Sequence, residues 1–390
     1  MNGELTLVRA GFIPLIDAAA LIVAADRGFA VEEGLRLELV REVSWANVRD
    51  RLMLGQFDAA HILAPLAIAA TLGGDYAKIE MTAPLALGLN GNAVVVSADL
   101  HTALAAAATG DLSDPAVTGA ALASVIIARR RQGGEPLVFG MVFPFSSHNY
   151  QLRYWMAAAG IDPDRDVRLV VLPPPYMADA LAKGQLHGFC VGAPWASVAI
   201  TQGLGHILHF GVDLIARCPE KVLAVRSSWA TANARTMQRL VRACARAATW
   251  CAVPENRAEL ARILSAPERL GIEPETIMRI LEGRLIIAPD GTTRAHGRFF
   301  IFDGYAALRP DPRHALWLYA QMVRWRQVEH SAAAAAAAAG VYRPDLFDAA
   351  LAAREGAMAE DGIGAFAGPL FIPDDVEAYL AAVGGTARTA

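Results

Sequence analysis

One sequence pattern occurs twice in the chain, at residues 54–65 and again at residues 183–194. Each copy runs from a helix end through a Gly-Gln pair and a short apolar run to a proline at the start of the next helix. A short apolar run bounded by turn formers predicts a buried strand, and proline is favoured in the first turn of a helix. Because the whole unit recurs in the same order, we predict two lobes built on one fold.

Short apolar runs alternate with helical stretches through the first half of the chain. The predicted strands cover residues 5–12, 35–40, 58–63, 78–87, 93–97, 137–143, 167–172 and 188–191. Alternation of strands and helices with short joints is typical of parallel α/β sheets. Beyond residue 231 the pattern is mostly helical, apart from a predicted loop at residues 288–304. We predict that residues 1–90 begin a first lobe, that residues 91–200 form a second lobe, and that residues 201–390 return to the first lobe and add C-terminal helices.

Composition excludes several classes of protein. The chain of 390 residues carries 39 acidic and 35 basic side chains, and 54% of it is hydrophobic. A disordered chain would be richer in charge, and a nucleic-acid-binding domain would be basic. The mean hydropathy is +0.32, but no run of roughly 20 apolar residues lacks a charge or a turn former, so no membrane span is predicted. The sequence opens on a strand-like run rather than a secretory signal, which favours a cytoplasmic location.

The sequence contains none of the common catalytic motifs. It has no phosphate-binding loop, dinucleotide fingerprint, zinc-protease motif or nucleophile elbow. Its four cysteines and nine histidines lack the spacing of metal ligands, and the cysteines are too few for a disulfide scaffold. We therefore predict a protein without catalytic residues, metal or cofactor. An enzyme that uses the same fold stays open as an alternative.

Three segments combine polar side chains with predicted strand ends and helix starts, at residues 43–50, 140–155 and 218–225. A helix start presents unpaired N–H groups and a partial positive charge, which together bind small anions. His148 lies in one of these predicted first turns. Because the helix dipole disfavours an imidazolium there, we expect His148 to be neutral.

Ordered motifs run through these segments and their neighbours. They are Ser-Trp-Ala-x-x-Arg-Asp-x-Leu at 44–52, Gly-x-x-Asp-Ala-Ala-His-x-Leu at 55–63, His-Asn-x-x-x-Arg-Tyr-Trp at 148–155, Gly-Phe-Cys-Val-Gly-x-Pro-Trp at 188–195 and Pro-Glu-Lys-Val-Leu-Ala-Val at 219–225. Together they resemble the nitrate/bicarbonate solute-binding protein family (NrtA/CmpA-like), over residues 6–380. The resemblance implies an α/β, two-lobe periplasmic-binding-protein fold of type II, with C-terminal helices, that closes on its ligand.

The resemblance also implies which residues contact the anion, namely Trp45, Asn92, His148 and Lys221. Asn92 stands where the family has a glutamine, whose side chain is one methylene longer. Carboxylates that the family has before Gly-Phe-Cys and before Pro-Trp are His187 and Ala193 here. That difference weighs against a metal-assisted bicarbonate site, so we predict that no metal is needed.

Each of these four positions has a plainer interpretation. Trp45 could anchor a helix on its sheet, Asn92 could be a turn residue, His148 could merely start a helix, and Lys221 could be a solvated strand residue. As a set they supply hydrogen-bond donors only, which suits nitrate because nitrate accepts hydrogen bonds and donates none. Lys221 supplies the positive charge of the set. Its replacement by methionine is predicted to abolish binding and to leave the fold intact.

Within the family, the motifs and the missing export signal favour a cytoplasmic nitrate/nitrite sensor of the NasS type. Such a sensor binds the anion between its lobes and controls an RNA-binding antiterminator of the NasT type, which regulates nitrate assimilation. The predicted partners are therefore nitrate or nitrite and that antiterminator, without direct contact to nucleic acid. The alternative is the solute-binding component of an ABC importer for nitrate, bicarbonate or a related anion.

Overall fold

The computed structural model describes residues 4–73, 77–302, 305–352 and 363–384. Two five-stranded sheets dominate it. The strands, in chain order, are β1 Thr6–Phe12, β2 Leu35–Arg41, β3 Ala59–Leu63, β4 Met81–Ala86, β5 Leu89–Asn90, β6 Asn92–Ser97, β7 Leu137–Met141, β8 Val167–Val171, β9 Gly188–Gly192, β10 Gly205–Phe210, β11 Lys221–Arg226, β12 Arg284–Ile286, β13 Thr293–Ala295 and β14 Phe300–Ile301.

Helices flank these strands. They are α1 Ala19–Asp26, α2 Phe29–Glu32, α3 Trp45–Met53, α4 Ala64–Leu72, α5 Ala98–Ala107, α6 Pro115–Arg131, α7 Ser147–Ala158, α8 Met177–Ala182, α9 Trp195–Thr201, α10 Gly211–Leu214, α11 Ser227–Ala232, α12 Ala234–Ala252, α13 Arg257–Leu264, α14 Pro274–Leu281, α15 Tyr305–Leu308, α16 Pro312–Arg324, α17 Ala332–Val341, α18 Pro344–Leu351 and α19 Val376–Ala382, with short 3-10 turns at Ile16–Ala18, Pro174–Tyr176 and Pro254–Asn256. In the described part of the chain, none of these helices combines the length and the apolar composition needed to cross a membrane.

The two sheets have matching designs. The first has the strand order β2-β1-β3-β11-β4, and the second has the order β10-β6-β9-β7-β8. In the first sheet β1 runs parallel to β2 and β3, whereas β11 runs antiparallel to both β3 and β4. In the second sheet β7 runs parallel to β8 and β9, whereas β6 runs antiparallel to both β9 and β10. Each sheet thus has one reversed strand, next to its middle strand.

The prediction of parallel sheets is therefore confirmed for four strands of each sheet and wrong for the fifth. The reversed strands are the ones that follow a crossing between lobes, because the chain enters the second sheet on β6 and re-enters the first sheet on β11. A strand that arrives from the other lobe enters the sheet at the edge where the parallel strands end. It therefore runs antiparallel to its neighbours. Apolar runs look the same in both directions, so the sequence holds no signal for this reversal.

The repeated sequence pattern corresponds to β3 and β9, which occupy the middle position of their sheets. Both strands are buried along their whole length. The predicted end of the second lobe at residue 200 lies one strand too early, because β10 pairs with β6 in the second sheet. The return to the first sheet is made by β11.

The C-terminal helices pack on the first sheet's side of the molecule. Helix α12 packs against α1, and α16 and α17 pack against α4. Both α1 and α4 are rich in alanine and nearly fully buried, since small side chains let neighbouring helices approach closely. The predicted loop at residues 288–304 contains β13 and β14. These strands are too short to show a periodic pattern, and β14 pairs with β5 between the lobes.

Gly205 at the start of β10 offers a test of the second sheet. A Cβ atom added there would overlap the carbonyl oxygen of Val96, so Gly205→Ala must push the two strands apart. We expect a loss of about 1–3 kcal/mol of stability, measured as a lower midpoint of thermal unfolding. The control is Gly340→Ala in α17, where an added Cβ meets nothing within 4 Å. Equal midpoints for both variants would contradict the strand pairing.

Candidate functional site

The first residues of the two reversed strands, one from each sheet, meet between the lobes. Lys221, the first residue of β11, pairs with Leu63 at the carboxyl end of β3. Asn92, the first residue of β6, pairs with Gly192 at the carboxyl end of β9. A Cβ atom added to Gly192 would lie 3.5 Å from Lys221 Nζ and 3.4 Å from Asn92 Oδ1. Both strand starts therefore face one small space, which we name the cleft site.

Lys221 is held between two carboxylates. Its Nζ lies 2.9 Å from Asp17 Oδ2 and 2.8 Å from Glu220 Oε2. The side chains of Lys221 and Glu220 are fully buried, and that of Asp17 is 6% exposed. An ammonium group has three N–H donors, so these contacts leave one N–H for a further partner.

Burial and pairing pull the ionisation of this cluster in different directions. Burial favours neutral Lys221, but Asp17 and Glu220 overcome it and hold the pKa of the ammonium above its usual range. Burial likewise works against an ionised Asp17, yet Lys221 and His61 hold the pKa of Asp17 below its usual range. For Glu220 burial outweighs Lys221, and the pKa of this carboxyl is raised. Glu220 is therefore the group of the cluster that gains a proton most readily.

Asp17 contacts Lys221 on one side and His61, which lies beside Trp45, on the other. Its Oδ1 lies 2.7 Å from His61 Nε2, and His61 Nδ1 accepts a hydrogen bond from the backbone N–H of Ile13 at 3.4 Å. The Trp45 ring lies 5.5 Å from the His61 ring between centroids. Trp45 starts helix α3 directly after Ser44 in the N-cap position, so the helix start and the ion cluster adjoin.

The second lobe contributes Asn92 and the first turn of α7. Asn92 Nδ2 donates to Glu220 Oε1 at 2.5 Å and to Gln151 Oε1 at 3.2 Å. Ser146 caps α7, because its Oγ accepts from the backbone N–H of Asn149 at 3.1 Å. His148 follows in the first turn and is fully buried. The Glu220–Asn92 hydrogen bond joins the two sheets across the cleft site.

His148 is neutral, as the sequence predicts, but the main cause is different. Burial lowers its pKa well below the usual value, and the nearby charge of Lys221 lowers it further. A neutral imidazole offers one donor and one acceptor. Gln151, three residues further along α7 and so on the same face of the helix, accepts from Asn92 Nδ2, which places this face of α7 beside the ion cluster.

Several buried polar atoms around the cleft site have no hydrogen-bond partner within the described part of the chain. They are Trp45 Nε1, Asn92 Oδ1 and both ring nitrogens of His148. Buried polar atoms are paired in the great majority of cases. A cluster of unpaired ones beside a buried ammonium is the arrangement expected of a site for a small polar ligand.

The structure thus brings all four residues implied by the resemblance to one place. Lys221 is a strand residue, as the plainer interpretation has it, but it is buried rather than solvated. No helix begins in the described segment 218–225, contrary to prediction, because Lys221 opens β11. The set is also not limited to donors, since two carboxylates and Asn92 Oδ1 supply acceptors.

The turn interpretation of Asn92 is wrong, but its neighbours do form a turn. Asn90 has a φ of 65° and Gly91 a φ of 92°, which places the bend there, and Asn92 opens β6. His187 lies at the other end of β9 from Gly192, where its Nδ1 accepts from the backbone N–H of Val138 at 3.0 Å. Its identity therefore has no bearing on the cleft site. Among the described residues, no three His, Cys, Asp or Glu side chains are grouped to hold a metal ion.

Sequence reasoning missed Asp17, His61, Glu220 and Gln151. Asp17 carried a signal, because it interrupts the apolar window at residues 13–25, and a buried charge needs a partner. His61 likewise stands in an otherwise apolar strand. Their partners lie far away in the sequence. The sequence therefore shows that these residues are unusual but does not show which residues they contact.

Comparison with known proteins gives the class of this protein. The model of the NMT1-like family matches residues 1–265, more than half of the chain, and the chain therefore belongs to that family. The described fold is the two-lobe periplasmic-binding-protein fold with C-terminal helices, as the resemblance implied. The crystal structure of the periplasmic nitrate-binding protein NrtA from Synechocystis PCC 6803 matches 97% of this chain and 99% of its own, with a TM-score of 0.88 and 28% identity.

Two curated relatives narrow the comparison further. The nitrate/nitrite binding protein NrtA of Synechococcus elongatus is 31% identical over 97% of this chain and 86% of its own length. The nitrate import ATP-binding protein NrtC of a Synechocystis strain is 32% identical over 95% of this chain. The chain spans only 54% of NrtC. The protein is thus a member of the solute-binding family that includes NrtA.

Lys221→Met tests the ion cluster and corrects the expectation of an intact fold. The variant leaves Asp17 and Glu220 buried without their cation, which costs about 3–5 kcal/mol, so we expect a much lower midpoint of thermal unfolding. The loss of stability relative to wild type should be smaller at low pH. The lowered pKa of Asp17 means that its wild-type stabilisation is complete only above roughly pH 4 and is lost as the pH falls further. Lys221→Arg is the control that keeps the charge, and a Lys221→Met variant as stable as wild type would contradict the pairing.

Proposed function

We propose that this protein is a solute-binding protein that takes nitrate or nitrite into the cleft site and serves an ABC-type importer. The observation that carries the proposal is the buried ammonium of Lys221 beside the unpaired polar atoms of Trp45 and His148, between two lobes. The named relatives are nitrate-binding and nitrate-import proteins, which supports the same ligand class. On this proposal the protein binds its ligand without catalysis.

The geometry suits a small planar oxyanion. Nitrate accepts hydrogen bonds and donates none, and Lys221 keeps one N–H free after its two carboxylate contacts. The Trp45 indole and one nitrogen of neutral His148 supply further donors. With four non-hydrogen atoms and a ceiling of about −1.5 kcal/mol per atom, nitrate gains roughly −6 kcal/mol, which corresponds to a Kd of tens of micromolar.

Bicarbonate is the comparison ligand. A donor-only set would disfavour its O–H group, but Asp17, Glu220 and Asn92 Oδ1 are acceptors at the cleft site. A donor-only site therefore no longer distinguishes nitrate from bicarbonate, and the sequence-based case against a metal-assisted bicarbonate site rests on His187 and Ala193 alone. Titrations with nitrate, nitrite and bicarbonate in parallel decide the order of preference.

The sensor role of the NasS type, with its NasT-type antiterminator and cytoplasmic location, rests on the motifs and the opening residues of the sequence. The relative NrtC is named for nitrate import, which supports the importer role instead. Co-purification with an RNA-binding antiterminator across a nitrate titration separates the two roles. A complex that dissociates when nitrate is added would favour the sensor. Ligand-dependent binding to a permease would favour the importer component.

Trp45→Phe tests the anion site with little change in packing. It removes the indole N–H and keeps an aromatic ring, so we expect nitrate affinity to fall by roughly tenfold to a hundredfold, as for a lost hydrogen bond to a charged group. Isothermal titration calorimetry measures the change. Trp317→Phe in α16, where Trp317 is also buried, is the matched control and should keep wild-type affinity. Unchanged affinity in Trp45→Phe would remove Trp45 from the site.

Nitrate binding should not require a metal ion. The described residues include no group of three potential metal ligands. The positive charge that faces the anion is supplied by Lys221 instead of a metal ion. We expect the same Kd for nitrate before and after exhaustive treatment with a chelator. Loss of binding that added calcium restores would contradict this expectation.

A further inference from the structure

The buried charges of the cleft site do not favour an anion as they stand. Lys221 contributes one positive charge, and Asp17 and Glu220 contribute two negative charges when both are ionised. His61 accepts from the backbone N–H of Ile13 at Nδ1 and faces Asp17 with Nε2, so both of its ring nitrogens are engaged away from the ligand. His148 is neutral. With both carboxylates ionised, Lys221, Asp17 and Glu220 together carry one net negative charge before any ligand enters.

A monovalent anion would add a second negative charge in a space that is closed to water. Burying an unpaired charge is costly, and groups in such places shift their pKa and become neutral instead. Asp17 is poorly suited to take a proton because it faces both Lys221 and His61. Glu220 has one cationic partner, at Oε2, and an amide at Oε1.

We propose, building on the proposed nitrate or nitrite function, that the anion binds together with one proton and that Glu220 takes up this proton. The proton comes from solvent and converts the Glu220 carboxylate into a carboxylic acid. The charge of the liganded cluster then equals that of the empty one. Nitrate cannot carry the proton itself, because it is the conjugate base of a strong acid.

The same proton would also turn Asn92 toward the ligand. With an ionised Glu220, Asn92 uses its Nδ2 on Glu220 Oε1 and presents its Oδ1, an acceptor, to the cleft site. An anion is repelled by that oxygen. A protonated Glu220 donates to Asn92 Oδ1 once the Asn92 amide rotates by half a turn, and Nδ2 is then free to donate to the anion. Gln151, whose Oε1 accepts from Asn92 Nδ2 before the rotation, turns its own amide at the same time and donates to Asn92 Oδ1 through Nε2, which is otherwise without a partner among the described residues. One proton thus removes a negative charge and supplies a donor.

The groups that act on Glu220 come from several elements. They are Lys221 beside it in β11, Asp17 in the 3-10 turn after β1, Ser147 in α7, Cys190 in β9, Cys218 before β11, and Tyr342 after α17. Burial raises the pKa of both thiols and of the phenol, so these three groups are neutral. Lys221 opposes protonation of Glu220 and Asp17 favours it.

The direction in which nitrate affinity changes with pH follows from the linkage between anion binding and proton binding by Glu220. An anion beside Lys221 raises the pKa of Glu220 further, so the bound state holds more protons than the free state. Affinity then falls as the pH rises, by about tenfold per pH unit between the free and bound pKa values. Below both values the affinity no longer changes with pH.

Calorimetric titration with sodium nitrate in buffers of small and large ionisation enthalpy measures the proton directly. We expect an uptake of close to one proton per nitrate in the range where the Kd changes with pH. Glu220→Gln should bind without proton uptake and with a pH-independent Kd, and should therefore bind more tightly than wild type in alkaline buffer. Glu220→Asp should restore the proton uptake. Glu33→Gln, which removes a carboxylate paired with Arg242 away from the cleft, should behave as wild type.

A second measurement covers the case in which Glu220→Gln does not fold. Infrared difference spectra of the wild-type protein should show the carbonyl band of a protonated carboxyl group appearing with nitrate. Nitrate binding without proton uptake, or proton uptake that persists in folded Glu220→Gln, overturns the inference and leaves the proposed function standing. Absence of binding by nitrate and nitrite overturns both.

Discussion

The buried ammonium of Lys221, held by Asp17 and Glu220, is the interaction on which the rest of the site depends. Lys221 and Asp17 belong to the first lobe, and Glu220 continues the link across the cleft through Asn92 in the second lobe. Ion pairs of this kind are stable only when every partner is present, because a lone buried charge costs several kcal/mol. The cluster therefore favours the lobes in the arrangement seen here, with the cleft site enclosed.

The topology explains why these residues meet. In each sheet the reversed strand begins level with the carboxyl end of the middle strand, to which it pairs antiparallel, so Lys221 and Asn92 stand at corresponding positions of the two lobes. Ligands of open α/β folds bind at the carboxyl ends of parallel strands. A reversed strand brings its first residue to the same edge, which adds side chains from a distant part of the sequence.

The sequence predicts individual strands and helix starts well and the site in part. Apolar runs at residues 35–40 and 188–191 predict β2 and β9 to within one residue, and the helix start predicted within residues 140–155 is that of α7, because these signals are local. The pairings of Lys221 with Asp17 and of Asn92 with Glu220 join residues more than a hundred positions apart. No local pattern encodes such contacts, so a set that looked like donors alone proved to contain two carboxylates.

Those carboxylates change what kind of anion the cleft site can select. A purely cationic pocket would favour a divalent oxyanion over a monovalent one, because Coulomb attraction grows with charge. Here Lys221 already has two anionic partners, and Asp17 is held in its ionised form by Lys221 and His61. Glu220 alone is free to become neutral, so the cluster can offset a single added charge. A divalent anion would leave one charge unbalanced in a space closed to water, which makes the carboxylates a filter for monovalent ligands.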